Sequence, residues 1–348
     1  MAARTASFAG HSACGGIVFV VVAAASPPLG VMGGPVPLGI ANGNGIGFPP
    51  AIFVVSTLII LLFAVGFTAL TPYVPPDAGA FYSYIGKGLG RVTGFGFAFV
   101  ALISYLTLEI AVYGLIGQGA QALFTSYGLP TIHWGGIWAF VAFAIVTALG
   151  HFNIDLSRNV LGVLLIGEVA IVLALDAAVV FSGGHEGLST GIVTPSEILS
   201  GAPGIALLFA ILSFIGFEAT AVFRDEAREP LRTIPKATYL AVILIGGVFY
   251  TVSTWALISA VGDTKAVEQA QADPSALLPN ATEQYLGAAG LHIVQVLFVT
   301  SLFACILSFH NIVARYVFTL SNRRVFPNRL GQAHAAHGSP HIASGVDA

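Results

Sequence analysis

Long apolar runs separated by short polar segments dominate the chain. A run of about 20 apolar residues wound as helix matches the roughly 30 Å hydrocarbon core of a bilayer. Eight such runs stand out, at about 14–42, 50–72, 92–123, 134–150, 159–182, 203–223, 236–261 and 290–321. They are continuous rather than alternating, so each predicts a membrane helix and not a barrel strand of about ten residues. The expected fold is therefore an all-α polytopic membrane protein, with residues 1–348 forming one transmembrane domain. The polar, acidic stretch from Asp263 to Gly290 reads as a long loop between the last two runs.

Two runs are interrupted. In the first, IVFVVVAAASPPLGVMGGPVPLGIA, seven of the eleven residues from Pro27 to Pro37 are proline or glycine: Pro27, Pro28, Gly30, Gly33, Gly34, Pro35 and Pro37. Adjacent prolines remove amide donors and clash with carbonyls one turn earlier, so the helix breaks or kinks here. Non-helical backbone at membrane depth is stable only where it is buried in protein or lines a wet cavity. The sixth run carries a milder interruption, SFIGFE, with Gly216 ahead of Phe217 and Glu218. One glycine costs a helix only about 1 kcal/mol, so the stronger signal is the relation between the two runs. They lie five helices apart, and an odd number of crossings returns a repeat in inverted topology. Interrupted helices at matching positions of two halves point to the ligand site of a secondary transporter. Freed amides there hold a carboxylate, and freed carbonyls hold a cation or ammonium.

Composition and charge remove other classes. The chain is 56% hydrophobic and 8% charged, against about 25% charged in soluble proteins. Its mean hydropathy is +0.88, so lipid is the solvent for most of it. A net charge of -3 gives no sign of nucleic-acid binding. Cys14 and Cys305 lie far apart in apolar runs and read as small hydrophobes. The histidines show no metal-ligand spacing, and no HExxH, P-loop or GxSxG motif is present. No enzyme, metal or cofactor is expected.

Basic residues set the orientation. Arg4, Lys87, Arg91, Arg158, Arg224, Arg228, Arg232, Lys236, Arg323, Arg324 and Arg329 fall on one side of an eight-span topology, with Arg315 near the same side. Only Lys265 falls on the other. The positive-inside rule then places the N-terminus in the cytoplasm of a multi-pass protein of the cytoplasmic (inner) membrane.

Three segments carry a family resemblance. GFEATAVFRDEAREPLRTIPKA, from Gly216, resembles the sixth-helix and following-loop signature of the amino acid–polyamine–organocation permeases. AGAFYSYIGKGLGRVTGF, from Ala78, resembles their entry to helix three, and RRVFPNRLGQAHAAHGSP, from Arg323, their loop after helix eight. The resemblance implies two inverted five-helix repeats and alternating access, mostly proton-driven, with sodium the second candidate ion. The expected boundaries are 14–182 for the first repeat, 203–321 for three helices of the second, and 322–348 for a cytoplasmic end where relatives enter helix nine. Truncation after the eighth helix is thus expected. The function implied is transport of amino acids or related amines. The alternatives are a non-transporting remnant, a membrane ligand sensor, or a permease for another organic solute. By resemblance the substrate residues are Ala25, Ser26, Leu29 and Gly30 in helix one, and Phe214, Gly216, Phe217 and Glu218 in helix six. SPPLG departs from the glycine-rich break of many relatives, because Pro27 and Pro28 donate no amide. Relatives use the outer stretch 263–290 as a partial lid.

Acids inside spans cost about 2.5–3.5 kcal/mol each at mid-bilayer and so mark function or a firm partner. Glu218 reads equally as a cation or proton site and as a structural acid bonded to freed amides of helix one. Glu168 sits at about the position where proton-coupled relatives carry a helix-five lysine, which makes it the candidate coupling residue; the alternative is a buried acid satisfied by a neighbouring hydroxyl. Glu109 and Asp176 read as structural. On span eight, Ser301, Cys305 and Ser308 share a helical face. That face reads as close packing by small residues or, with Ser301 and Ser308, as a hydroxyl wall for the coupling cation.

Overall fold

The computed structural model describes residues 27–48, 52–73, 81–130, 136–151, 158–217, 230–322 and 324–331. Among these residues the regular structure is entirely helical. The main elements are α1 (Pro28–Gly33), α2 (Pro35–Asn42), α3 (Phe53–Leu70), α4 (Phe81–Leu89), α5 (Arg91–Ser126), α6 (Gly136–His151), α7 (Arg158–Ser182), α8 (Pro203–Leu212), α9 (Pro230–Ala241), α10 (Thr251–Val261), α11 (Ala266–Ala272) and α12 (Leu277–Asn322). A π-helical segment, Val242–Tyr250, joins α9 to α10.

Five stretches are long and apolar enough to cross a membrane: Phe53–Leu70, Arg91–Ser126, Gly162–Ser182, Ile234–Val261 and Pro274–Asn322. Gly136–Leu149 and Pro203–Leu212 are shorter apolar helices. Outward faces carry large apolar side chains; Leu62 is 78% exposed and Ile110 is 71% exposed. A water-facing surface would not hold such a belt, whereas hydrocarbon does. The protein is a multi-pass, all-α membrane protein.

The described part of the first span, from Pro27 on, is packed inside the protein. Every residue of α1 is buried, and Leu29, Val31, Met32, Val36 and Ile40 belong to the main apolar cluster with residues of α3, α7, α8, α10 and α11. A helix apolar on all sides belongs inside a bundle. Pro27 is extended (φ -57, ψ 112) and Pro28 opens the helix. Proline suits that first position because its missing N–H would have no intrahelical partner. A second discontinuity follows at Gly34 (φ -120, ψ -90), before Pro35 opens α2. The proline–glycine run thus starts two short helices.

The sixth span leaves helical geometry after Leu212. Successive turns link Phe214 N to Ile211 O, Ile215 N to Leu212 O and Phe217 N to Phe214 O. Gly216 has φ 112, which side-chain-bearing residues rarely adopt. The rings on either side are seated in protein. Phe214 lies against Gly246 of the π-helical segment, in space that a Cβ at 246 would need. Phe217 meets Phe63 edge to face, with centroids 5.9 Å apart.

The stretch read as a loop between the last two spans is largely helical. α11 packs on α2, and Gln271 donates to the Ala41 carbonyl at 3.0 Å. α12 contains a break at Gly287 (φ 69, ψ -172), beyond which it runs on through the eighth apolar span. Apart from buried Thr282, the polar residues of this stretch are exposed or half-buried, while Ala266, Ala270, Leu277 and Leu278 are buried. That one-sided burial gives the helices a place to dock. Nearby, Glu186 accepts from both the hydroxyl and the backbone N–H of Thr264. Those two bonds, the hydroxyl first, hold its carboxyl below the usual range.

Candidate functional site: a carboxylate at the broken helix

Glu168 of α7 is 3% exposed, and its Oε2 is the point where three elements meet. The Leu29 backbone N–H donates to it at 3.1 Å, and the Ser301 hydroxyl donates to it at 3.0 Å. The Leu29 amide is one of the donors at the start of α1 that has no carbonyl within its own helix. A buried amide in that position needs an acceptor, since leaving it unpaired costs about 1–3 kcal/mol. The carboxylate supplies it from another span. Bonds to an ionised acceptor are roughly twice as strong as neutral ones, so the charge on Glu168 sets how firmly α1, α7 and α12 are held together.

The other expected coupling residue, Ser308, is not part of this arrangement. It is exposed, and its hydroxyl donates to the Ala304 carbonyl of its own helix at 2.9 Å. Spacing places Ser301 and Ser308 on one face of α12, but the neighbours that bury that face at Ser301 do not bury it at Ser308.

Of the expected substrate residues, Leu29 and Gly30 lie at the start of α1 beside Glu168. A Cβ at Gly30 would lie 3.4 Å from the Pro27 ring and 3.6 Å from Leu302 of α12. Phe214, Gly216 and Phe217 form the turns of the sixth span. Ala25, Ser26 and Glu218 lie outside the described residues.

A pocket opens about one helical turn further along α1 and α12. Gly33, Gln118, Gly119, Ser275, Gln295 and Phe298 are among its lining residues. The Phe298 ring fills the space between two glycines: a Cβ would meet it at 2.6 Å from Gly33 and at 2.9 Å from Gly119. Phe298 therefore stands between the pocket and the level of Glu168. Apart from Gly33, sequence reasoning did not single out these residues. The available signal was two glutamines, Gln118 and Gln295, inside apolar runs.

Asp176, two turns beyond Glu168 on α7, is also buried and accepts from the Ser253 hydroxyl of α10 at 2.7 Å. Glu109 of α5 lies with its Oε1 3.6 Å from Nδ1 of His310 on α12. No group of three or more His, Cys, Asp or Glu side chains able to hold a metal occurs among the described residues.

Comparison with known proteins places this geometry in context. The family described as amino acid permease matches residues 12–348. The chain is 26% identical over 316 residues to the low-affinity putrescine importer PlaP of Escherichia coli (strain K12), covering 87% of this chain and 66% of that protein. It is 24% identical over 315 residues to the branched-chain amino acid permease BcaP of Bacillus subtilis (strain 168), covering 84% and 63% respectively. The L-methionine/branched-chain amino acid exporter YjeH of Escherichia coli (strain K12) is 27% identical over 281 residues, 75% of this chain and 60% of that protein. The chain spans just under two thirds of the length of these relatives.

Proposed function

This chain belongs to the amino acid permease family, and from that premise we propose that it moves an amino acid or a related amine across the cytoplasmic membrane by alternating access. In this reading the N-terminus is cytoplasmic. Residues 14–182 form one five-helix repeat, and 203–321 form three helices of an inverted second repeat. The substrate is held where the first and sixth spans are interrupted, by Ala25, Ser26, Leu29 and Gly30 on one side and Phe214, Gly216, Phe217 and Glu218 on the other. A proton is the coupling ion, with sodium the second choice. Named relatives include an importer and an exporter, so the direction of transport is left to experiment.

The convergence of the Leu29 amide and the Ser301 hydroxyl on Glu168 supports this reading most directly. Protonating Glu168 would neutralise the acceptor and weaken both charge-assisted bonds. The start of α1 would then be freer to move relative to α7 and α12. A proton is thereby exchanged for a change in the broken helix, which is the linkage that coupled alternating access requires. Ser308 contributes nothing to this grip, and the coupling role rests on Glu168 and Ser301.

The test is uptake by the chain reconstituted in liposomes under an imposed pH gradient, with labelled putrescine, leucine and methionine as probes. Gradient-driven uptake is expected for at least one probe. Glu168→Gln should abolish driven uptake while sparing exchange of the same probe across equal pH. Driven uptake that survives this substitution overturns the coupling role. Binding without flux, over a wider panel of amines and amino acids, favours a ligand sensor or remnant.

A further inference from the structure

The Glu109–His310 contact lies outside the site described above, and its position has a chemical consequence. Both side chains are buried, at 5% and 1% exposure. The antiparallel packing of α5 on α12 brings them together. Ser126 bonds Gln295 at one end of that register, and the Tyr105 ring meets Phe309 at the other. Glu109 Oε1 and His310 Nδ1 stand 3.6 Å apart in between. From Ser301 to His310 is nine residues, about 13 Å along the helix axis. Cys305 lies between them along α12. Nine residues turn the helix by two and a half turns, so Ser301 and His310 lie on opposite sides of α12, one beside each buried carboxyl group.

The other titratable groups on the surrounding elements are few. α1 has none. α4 brings Tyr82, Tyr84 and an exposed Lys87, and Tyr82 packs on Tyr316 of α12. α5 itself brings Tyr105 and Tyr113, with Tyr105 also against Tyr316. α5 also carries an exposed Arg91 at its start, α6 has only His151 at its end, α7 brings Arg158, Glu168 and Asp176, and α12 adds Glu283, Tyr285, His292 and an exposed Arg315. No lysine or arginine is buried among the described residues.

We propose that Glu109 and His310 form a second proton-binding site, distinct from Glu168 and on the opposite side of α12 from Ser301. With one proton present, the pair is either carboxyl and imidazole or carboxylate and imidazolium. Both forms are neutral overall, so a single proton can be held in the apolar interior without a net charge. Releasing that proton leaves a carboxylate beside a neutral imidazole, with net charge -1. Gaining another leaves a carboxyl beside an imidazolium, with net charge +1. The carboxyl and the imidazole of the pair therefore titrate together, as one coupled set.

Infrared difference spectroscopy on the purified chain, titrated between about pH 5 and pH 9, reads this directly through the protonated-carboxyl band. Glu109→Gln should remove one titrating carboxyl component. His310→Gln should move the midpoint of that component by about one pH unit and leave the Glu168 component in place. The Glu168 component is assigned by its loss in Glu168→Gln. If Glu109→Gln does not fold, Glu109→Asp retains the group and displaces its band, which makes the same assignment. A Glu109 component that does not titrate in this range, or whose midpoint is indifferent to His310→Gln, overturns the proposal. The readout is proton binding and not flux. A chain that binds protons at this pair yet transports no amine would sink the transport reading and leave this one standing.

Discussion

Two carboxyl groups on the same helix make an instructive contrast. Glu168 and Asp176 are both buried on α7, eight residues apart, and each accepts a serine hydroxyl from a neighbouring span. Asp176 joins α7 to α10, whose backbone is continuous helix at Ser253. Glu168 also takes the backbone N–H of Leu29, where α1 begins after extended Pro27. Removing the first acid deprives one hydroxyl, which can turn to a carbonyl of its own helix. Removing the second strands a main-chain donor that cannot turn. The chemical group is the same in both places, and its partner decides whether it fastens two rods or holds a discontinuity.

Substitutions sharpen that contrast in a graded series. Glu168→Leu should have the largest effect. It leaves the buried Leu29 amide without an acceptor, at a cost of about 1–3 kcal/mol, and should lower the thermal unfolding midpoint in detergent, followed by circular dichroism, more than any other change here. An unfolding midpoint equal to that of the parent chain would show that the amide finds another acceptor at no cost. Ser301→Ala should cost about 1 kcal/mol in the same assay, because Glu168 keeps its bond from Leu29. Asp176→Asn should be the mildest, under about 1 kcal/mol, since an amide oxygen still accepts from Ser253. Its driven uptake should keep the pH profile of the parent chain. An Asp176→Asn profile displaced as far as that of Ser301→Ala would erase the distinction between the two acids.

Much of this arrangement was readable in the residues, for identifiable reasons. A glutamate in an apolar run must find a partner, and the proline–glycine run announced where backbone donors would be freed. Their meeting through Ser301 followed once the helices packed. Ser301 and Ser308 differ in burial because helical spacing reports direction around an axis, while burial depends on how far the neighbouring helices extend along it. Glu109 and His310 lie far apart in the chain, and only the antiparallel register of α5 and α12 joins them. The segment Asp263–Gly290 was read as loop from its polarity, although its sparse apolar positions suffice to dock α11 on α2. Nothing local in VILIGGVFY distinguishes π from α geometry except the glycine pair that lets Phe214 and Thr57 approach.

That π-helical segment gives the seventh span slack. Its hydrogen bonds reach one residue further than those of an α-helix, so residues can be taken up or released without cutting the rod. At about 3.6 residues per turn, each residue handed over turns the remainder of an α-helix by about 100°. Phe214, from the interrupted sixth span, rests on Gly246 within this stretch. A shift of winding there would act as a ratchet tooth: it would carry the seat of that ring around the axis and turn α10, with Ser253, against the helix that bears Glu168.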